Sequence, residues 1–366
     1  MEVIGIICEY NPFHNGHKYM IEQIKNKYPD SLIVLVVSSY FMQRGDISIL
    51  TKEDKVKIAL NNNIDLVVEL PTLYACQSAD IFAYRSVEIL NMCKITHLIF
   101  GSECADINKL KHVVASQTRA DFNLEVKKFL EKGLNYPTAL AKATKVPFEF
   151  NSPNDLLGIS YIKAINKINP NIKVEVIKRT NSYHDTTSSI GIISASNIRK
   201  KLEAKASVKE FVSYDLEKIK TDVNYDLLYT ILKYKIITDE TLHLYLSVDE
   251  GLENKLKREI FNAVNIENLI QLIKSQRYTY NRLKRMIIHI LLGIKKDYPK
   301  QTYLKILGFN EKGQQHLKNN HISSTKDYNE TRIIEFKASR LYDILTSQNT
   351  FLFEQTNKPI IKKDIK

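Results

Sequence analysis

The sequence predicts an α/β protein: a doubly wound parallel sheet up to about residue 200, followed by a mainly helical domain. Three observations carry this reading. Short apolar runs alternate with amphipathic ones through the first part of the chain. Those apolar runs are continuous and rich in Val and Ile, the pattern of strands covered on both faces. Beyond residue 200 the alternation stops and the period becomes helical. Alternating strands and helices imply parallel pairing, and ligands of such sheets sit beyond the carboxyl ends of the strands.

Each element follows from its local pattern. EVIGIICEY reads as the first strand, and GHKYMIEQIKNKY as a helix by its apolar spacing. SLIVLVVSS is a strand, and TKEDKVKIALNNN a helix opened by Thr51 with Asp54 at capping-box distance. IDLVVELP, THLIFGSE and IKVEVIKR are further strands, with SADIFAYRSVEILNM and NDLLGISYIKAINKI as helices. In the second part, SVKEFVSYDL, DLLYTILKYKI, LENKLKREIFNAV, NIENLIQLIKS and YTYNRLKRMIIHILLGI are mostly helical in period, and no strong strand stands among them. The basic tail NKPIIKKDIK reads as frayed. The domains are expected at 1–203 and 204–366, each long enough for its own core.

Composition bounds the function. With 44% hydrophobic and 26% charged residues the chain has ordinary globular usage, and no apolar run is long enough to span a bilayer. MEVIGIICEY reads as a first strand, lacking the basic leader of a signal peptide. The four cysteines, 8, 76, 93 and 104, show no CxxC spacing and are expected as buried thiols in a reducing compartment. Net charge is +12, and residues 201–366 hold 29 Lys and Arg against 21 Asp and Glu, a surplus of +8. A basic excess in one half suits a polyanionic partner, although a Lys-rich surface alone gives the same count.

The stretch CEYNPFHNGHKYM raises the chemistry. Its two histidines fall where the first strand ends and the first helix begins. Free amides at a helix N-terminus, with the helix dipole behind them, make an anion site. Gly16 allows close approach to the backbone, and two imidazoles can donate hydrogen bonds to phosphate oxygens that strengthen as charge builds in a transition state. A plainer reading has His14 capping the loop and His17 packing on the sheet.

His14-x-Gly16-His17 resembles the HxGH motif of the nucleotidyltransferase superfamily, which attacks the α-phosphate of a nucleoside triphosphate and expels pyrophosphate. ISASNIRKKL, residues 193–202, resembles the ISxTxIR signature of the same superfamily, with Ser where Thr is frequent. Ser194 and Ser196 would supply hydroxyls and capping oxygens, and Arg199 a cation for the leaving pyrophosphate. EYNPFHNGH, SSYFMQRGD, DLVVELP, FGSE, SPNDLLG, IKR followed by YHD, RYTYNRLKRMIIHIL and YLKILGFNEKG occur in one order and spacing. Together they resemble the bacterial tRNA(Met) cytidine acetate ligase family over nearly the whole chain.

That resemblance implies a Rossmann-like domain of HxGH nucleotidyltransferase type, in which ATP and acetate form acetyl-adenylate with release of pyrophosphate. The acetyl group then passes to the wobble cytidine of elongator methionine tRNA, giving acetylcytidine, in the cytoplasm and without a membrane. It implies His14, His17 and Arg199 as catalytic. ATP would be held by the run Ile7, Cys8, Glu9, Tyr10, Asn11, Pro12, Phe13, His14, Asn15, Gly16, His17, Lys18, Tyr19 and Met20, and by Gly101, Asn154, Arg179, Ser194 and Ser196. Asn154 suits an adenine edge or caps its helix, and Arg179 suits a phosphate, a base or a surface ion pair. Mg2+ is expected only as the companion of ATP, with no dedicated metal ligands in the chain.

Other residues are read more weakly. Gln43, Arg44 and Asp46 lie at the same sheet edge; Glu103 suits magnesium through water or a loop cap; His184 and Asp185 suit proton removal from the cytidine amine or loop order. In the helical half, Arg277, Arg282, Lys284 and Arg285 beside Tyr278 and Tyr280 suit phosphate neutralisation and base stacking, or else a solvated basic face over core tyrosines. Two other functions fit the same motifs: a nucleotidyltransferase adenylylating a small phosphate-bearing metabolite, and an RNA-binding protein without catalysis.

Overall fold

The computed structural model describes residues 1–134, 136–147, 150, 152–180, 191–326, 330–356 and 358–365. Its centre is a seven-stranded sheet. In chain order the strands are β1 (Val3–Cys8), β2 (Leu32–Ser38), β3 (Leu66–Leu70), β4 (His97–Ser102), β5 (Lys173–Lys178), β6 (Ile306–Phe309) and β7 (Ile360–Ile361). They lie in the order β5-β4-β1-β2-β3-β6-β7, and the first five are mutually parallel. Every strand expected in the first part is present, joined by α1 (Asn15–Lys27), α2 (Lys52–Asn61) and the helices Ala79–Met92 and Pro153–Ile168.

Side chains of β2 alternate between the faces, as the pleat requires. Leu32, Val34 and Val36 join one apolar layer with the Ala79–Met92 helix, while Ile33, Leu35 and Val37 join the other with α1 and α2. Thr51 caps α2 as expected: its hydroxyl oxygen accepts from the Asp54 amide at 3.0 Å. Between β4 and the Pro153–Ile168 helix the chain adds helices Ile107–Gln117, Phe122–Glu131 and Tyr136–Thr144, around a small core of Phe122, Val126, Ala139 and Ala143. Cys8, Cys76 and Cys93 are buried free thiols, and burial pushes each up to about 12.

Two features of the second part depart from the sequence reading. Besides its helices it supplies two strands: β6 runs antiparallel to β3, with Leu66 opposite Phe309, and β7 pairs in parallel with β6. The tail is therefore tied to the sheet at Ile360 and Ile361 instead of frayed. Both strands are short, and their partners are remote in sequence, so no local period announces them. Among the described residues no helix is long and apolar enough to cross a membrane.

Candidate active site

The sheet opens where its strand order reverses. β1 and β4 are neighbours, yet they pair only at Ile4–His97 and Gly5–Leu98, near their amino ends. Toward their carboxyl ends they part, and this is the crevice where doubly wound folds bind ligands. The first histidine motif enters it from β1 and Gly101 from β4.

The start of α1 is closed by the two histidines themselves. His14 is the N-cap, and its Nδ1 accepts the Gly16 amide at 3.0 Å. His17 returns the bond, its Nδ1 accepting the His14 amide at 3.2 Å. A backbone N–H can only donate, so both Nδ1 atoms are bare and each neutral ring carries its proton on Nε2. Burial, reinforced by the Arg179 charge, holds His14 down to about 3. Burial, then His14 and Arg179, holds His17 well below its ordinary value. The rings lie 4.0 Å apart between centroids, and His17 rests on Phe13 and against Tyr10. A Cβ on Gly16 would meet His14 Cε1 at 2.8 Å, so any side chain there would displace the capping ring.

The rest of the run Ile7–Met20 supports this turn. Tyr10 and Phe13 are fully buried and pack edge to face. The Asn11 side chain donates to Ile47 O at 3.3 Å and accepts from Ile49 N at 2.9 Å. The Glu9 carboxylate accepts from Gln43 N at 2.6 Å, and Asn15 donates to Gly191 O at 3.0 Å. Lys18 is exposed on α1.

Across the crevice, Gly101, Asn154 and Arg179 come together around Glu103. Asn154 Nδ2 donates to Glu103 Oε1 at 2.5 Å, and Arg179 Nε lies 3.6 Å from the same oxygen. Arg179 also covers Gly101, where a Cβ would stand 3.4 Å from its Cγ. Asn154 is not the helix cap; that position belongs to Ser152, whose hydroxyl donates to Glu103 Oε2 at 3.0 Å. Asp155 was not singled out from the sequence. It is buried and accepts from Ser102 Oγ, Ser152 Oγ and Cys104 N, fixing the end of β4 to this helix. Its signal was the short SPND run, which reads equally well as a simple helix start.

The second motif closes the site from the other side. Ser194 caps the Ala195–Glu203 helix, accepting from Asn197 N, with Ser196 Oγ 3.0 Å away. Arg199 reaches the first motif: one terminal nitrogen donates to Asn11 O at 2.6 Å and the other to Asp46 Oδ2 at 3.0 Å. His184 and Asp185 lie outside the described residues.

The expected RNA-facing group is divided by the structure. Arg277, Tyr280 and Arg282 are on the surface, with Arg277 paired to Glu250 and Arg282 to Asp249. Tyr278 is 7% exposed, its ring beneath Arg282 and its hydroxyl donating to Asp249 O at 3.2 Å, so it belongs to the core and not to a stacking face. Lys284 pairs with Asp46, and Arg285 donates to Gln43 O at 3.2 Å, so both turn toward the loop after β2. Arg282 and Arg285, three residues apart on one helix, engage different partners, Asp249 and Gln43. Among the described residues one acidic cluster has metal-ligand spacing, Glu69 with Glu335 and Glu354, and the Lys52 ammonium already contacts all three.

A doubly wound sheet with paired imidazoles capping a helix at its switch point defines a nucleotide-handling α/β protein. A family model described as HIGH Nucleotidyl Transferase matches residues 1–358. The tRNA(Met) cytidine acetate ligase of Fusobacterium nucleatum is 33% identical, covering 99% of each chain. That of Clostridium perfringens is 34% identical over 99% of this chain and 100% of its own. In fold, the chain is similar to Thermotoga maritima TmcAL bound with alpha-thio ATP, with a TM-score of 0.86, 24% identity and 99% of each chain covered. The chain therefore belongs to the HIGH nucleotidyl transferase family and, within it, to the tRNA(Met) cytidine acetate ligase family.

Proposed function

We propose that the chain is an ATP-dependent ligase that acetylates the wobble cytidine of elongator methionine tRNA in two steps. An acetate oxygen attacks the α-phosphorus of ATP, the bond to the bridging oxygen breaks, and pyrophosphate leaves. The cytidine amine then attacks the acetyl carbonyl and loses a proton, and AMP departs as acetylcytidine forms. Acetate is itself the nucleophile, so no protein nucleophile is needed.

The observation that carries this reading is the reciprocal histidine cap. With both Nδ1 atoms accepting backbone amides, His14 and His17 present two neutral Nε2–H donors at the N-terminus of α1, on the positive end of its dipole. Such donors stabilise charge growing on the α-phosphoryl oxygens without giving up a proton. Gly101, Asn154 and Arg179 would frame the nucleoside, and Ser194, Ser196 and Arg199 the outer phosphates. Mg2+ would arrive with the triphosphate. Glu103 is a poor candidate ligand for it, since Asn154, Ser152 and Arg179 already engage its carboxylate. Residues 204–366 would hold the RNA, with Arg277, Tyr280 and Arg282 on the exposed face, and a tRNA substrate implies a cytoplasmic enzyme.

The test is one reaction containing protein, ATP, labelled acetate and unmodified elongator methionine tRNA, with initiator tRNA as control. Label on elongator tRNA alone, digesting to acetylcytidine, is the expected result. In parallel, His17→Ala should lower acetate-dependent ATP–pyrophosphate exchange by a factor of about 10² or more, the scale of losing one preorganised donor. Pyrophosphate release that depends on a small phosphate metabolite, with no label on RNA, would replace this reading with the small-metabolite transferase.

A further inference from the structure

Asp46 sits on the loop after β2 and holds two cations from distant parts of the chain. Its Oδ2 accepts from Arg199 at 3.0 Å, and its Oδ1 accepts from Lys284 Nζ. Lys284 lies on the Tyr280–Leu292 helix, 85 residues beyond Arg199 in sequence, yet its ammonium shares one carboxylate with the Arg199 guanidinium. The approach is built into the backbone. Gly45 takes φ +81°, and a Cβ there would stand 2.8 Å from Arg285 N and from the Lys284 carbonyl carbon, so only glycine lets the loop lie this close to the helix. Arg285 pins the other side of the loop through Gln43 O at 3.2 Å. The loop is tied in turn to the first motif, by Gln43 N to Glu9 and by Asn11 to Ile47 and Ile49.

Asp46 thus holds a guanidinium and an ammonium together beside Asn11 O, in the loop that leads into His14, with the Glu9 carboxylate near enough to act on both Asp46 and Arg199. The Asp46 contact uses one of the three N–H groups of Lys284, and the ammonium is about a quarter exposed. A polyphosphate arriving at Arg199 would meet this second cation on the other oxygen of the same carboxylate.

We propose that Lys284 is a ligand of the nucleotide's outer phosphates, acting with Arg199, so that the helical half supplies part of the ATP site. The inference rests on the ATP-dependent reading above and deepens it. It withdraws Lys284 from the RNA-facing set and gives Asp46 the role of positioning residue for both cations.

The experiment is calorimetric binding of ATP, inorganic tripolyphosphate and AMP to the full chain, beside tRNA binding without nucleotide. Lys284→Met should weaken ATP and tripolyphosphate by about tenfold or more, the scale of one charge-assisted contact, while AMP and tRNA bind as before. Lys284→Arg should restore most of the loss. Lys296→Met, which removes a cation paired with Asp249 on the same half, should change neither nucleotide. Unchanged ATP affinity with weakened tRNA binding would make Lys284 an RNA contact and overturn the proposal. Parallel loss of ATP and AMP would also overturn it, by showing that the substitution disturbs the whole site. Should the wild type bind ATP with this phosphate dependence but show no acetate-dependent exchange, the acetate reading would fall and the role of Lys284 would stand.

Discussion

A histidine whose Nδ1 caps a helix must stay neutral to accept the amide, and His14 is held neutral by its surroundings. Burial first, then the Arg179 charge, keeps it at about 3, against about 6.5 for an unfolded histidine. Between those values the unfolded chain binds a proton at this position and the folded chain does not. Stability therefore rises with pH from about 3 to about 6.5 and is complete above that window. His17 acts in the same direction. His14→Asn retains a capping side chain but cannot titrate in this range. Denaturant midpoints measured from pH 7 to pH 5 should fall less steeply for the variant than for the wild type. Coincident slopes would mean that His14 titrates in the fold as it does in water. The capping position of His14 could be read from the sequence because HxGH sits at a strand-to-helix junction. The reciprocal bonding could not, since it depends on the extended φ of −146° at His14 and on ring positions that no spacing encodes.

At the scale of elements, the start of α1 and the loop after β2 are shaped by what a glycine leaves open. Gly16→Ala would put a methyl group 2.8 Å from His14 Cε1 and 2.9 Å from Nδ1, and the ring has to leave its cap to make room. The expected loss is about 1 kcal/mol of stability, the usual value of an N-cap. Adenylate formation should fall far more, because the donor set is displaced with the ring. Wild-type exchange rates in Gly16→Ala, measured with acetate and ATP, would show that the cap is not part of the chemistry. The five parallel strands and the helices between most of them were legible because each carries its own period. β6 and β7 were not: four and two residues have no measurable period, and β6 finds its partner β3 some 240 residues away in sequence. The burial of Lys52 is hidden for the same reason: its ammonium is fully buried against glutamates from β3 and from the last two helices, most of them remote in sequence.

At the scale of the molecule, that buried lysine bears on whether the expected division at 203/204 is also a division in stability. Lys52 Nζ lies 2.5 Å from Glu69 and 2.9 Å from Glu335, and it also contacts Glu354. Lys305 adds Glu354 at 2.5 Å and Glu69 at 3.3 Å, while Tyr303 and Tyr40 donate to Glu69 and Glu354. The Lys305 and Lys52 charges outweigh burial and hold Glu69 down to about 2, whereas burial raises Glu335. The five charged side chains join α2 and β3 to Lys305 beside β6 and to the helices Glu330–Thr346 and Phe351–Thr356. Removing one member leaves the others buried without a full set of partners, which costs about 3–5 kcal/mol for a buried pair. Lys52→Met should therefore lower the urea midpoint, and sheet and C-terminal helices should still unfold together. The chain has 20 tyrosines and no tryptophan, so tyrosine fluorescence and far-ultraviolet circular dichroism are the two probes to compare. One coincident transition, displaced to lower urea, is expected, because β6 and β7 make the second half part of the sheet it would otherwise only rest on. Two separated transitions, with the helices lost while the parallel strands persist, would show that 1–203 and 204–366 stand as independent cores.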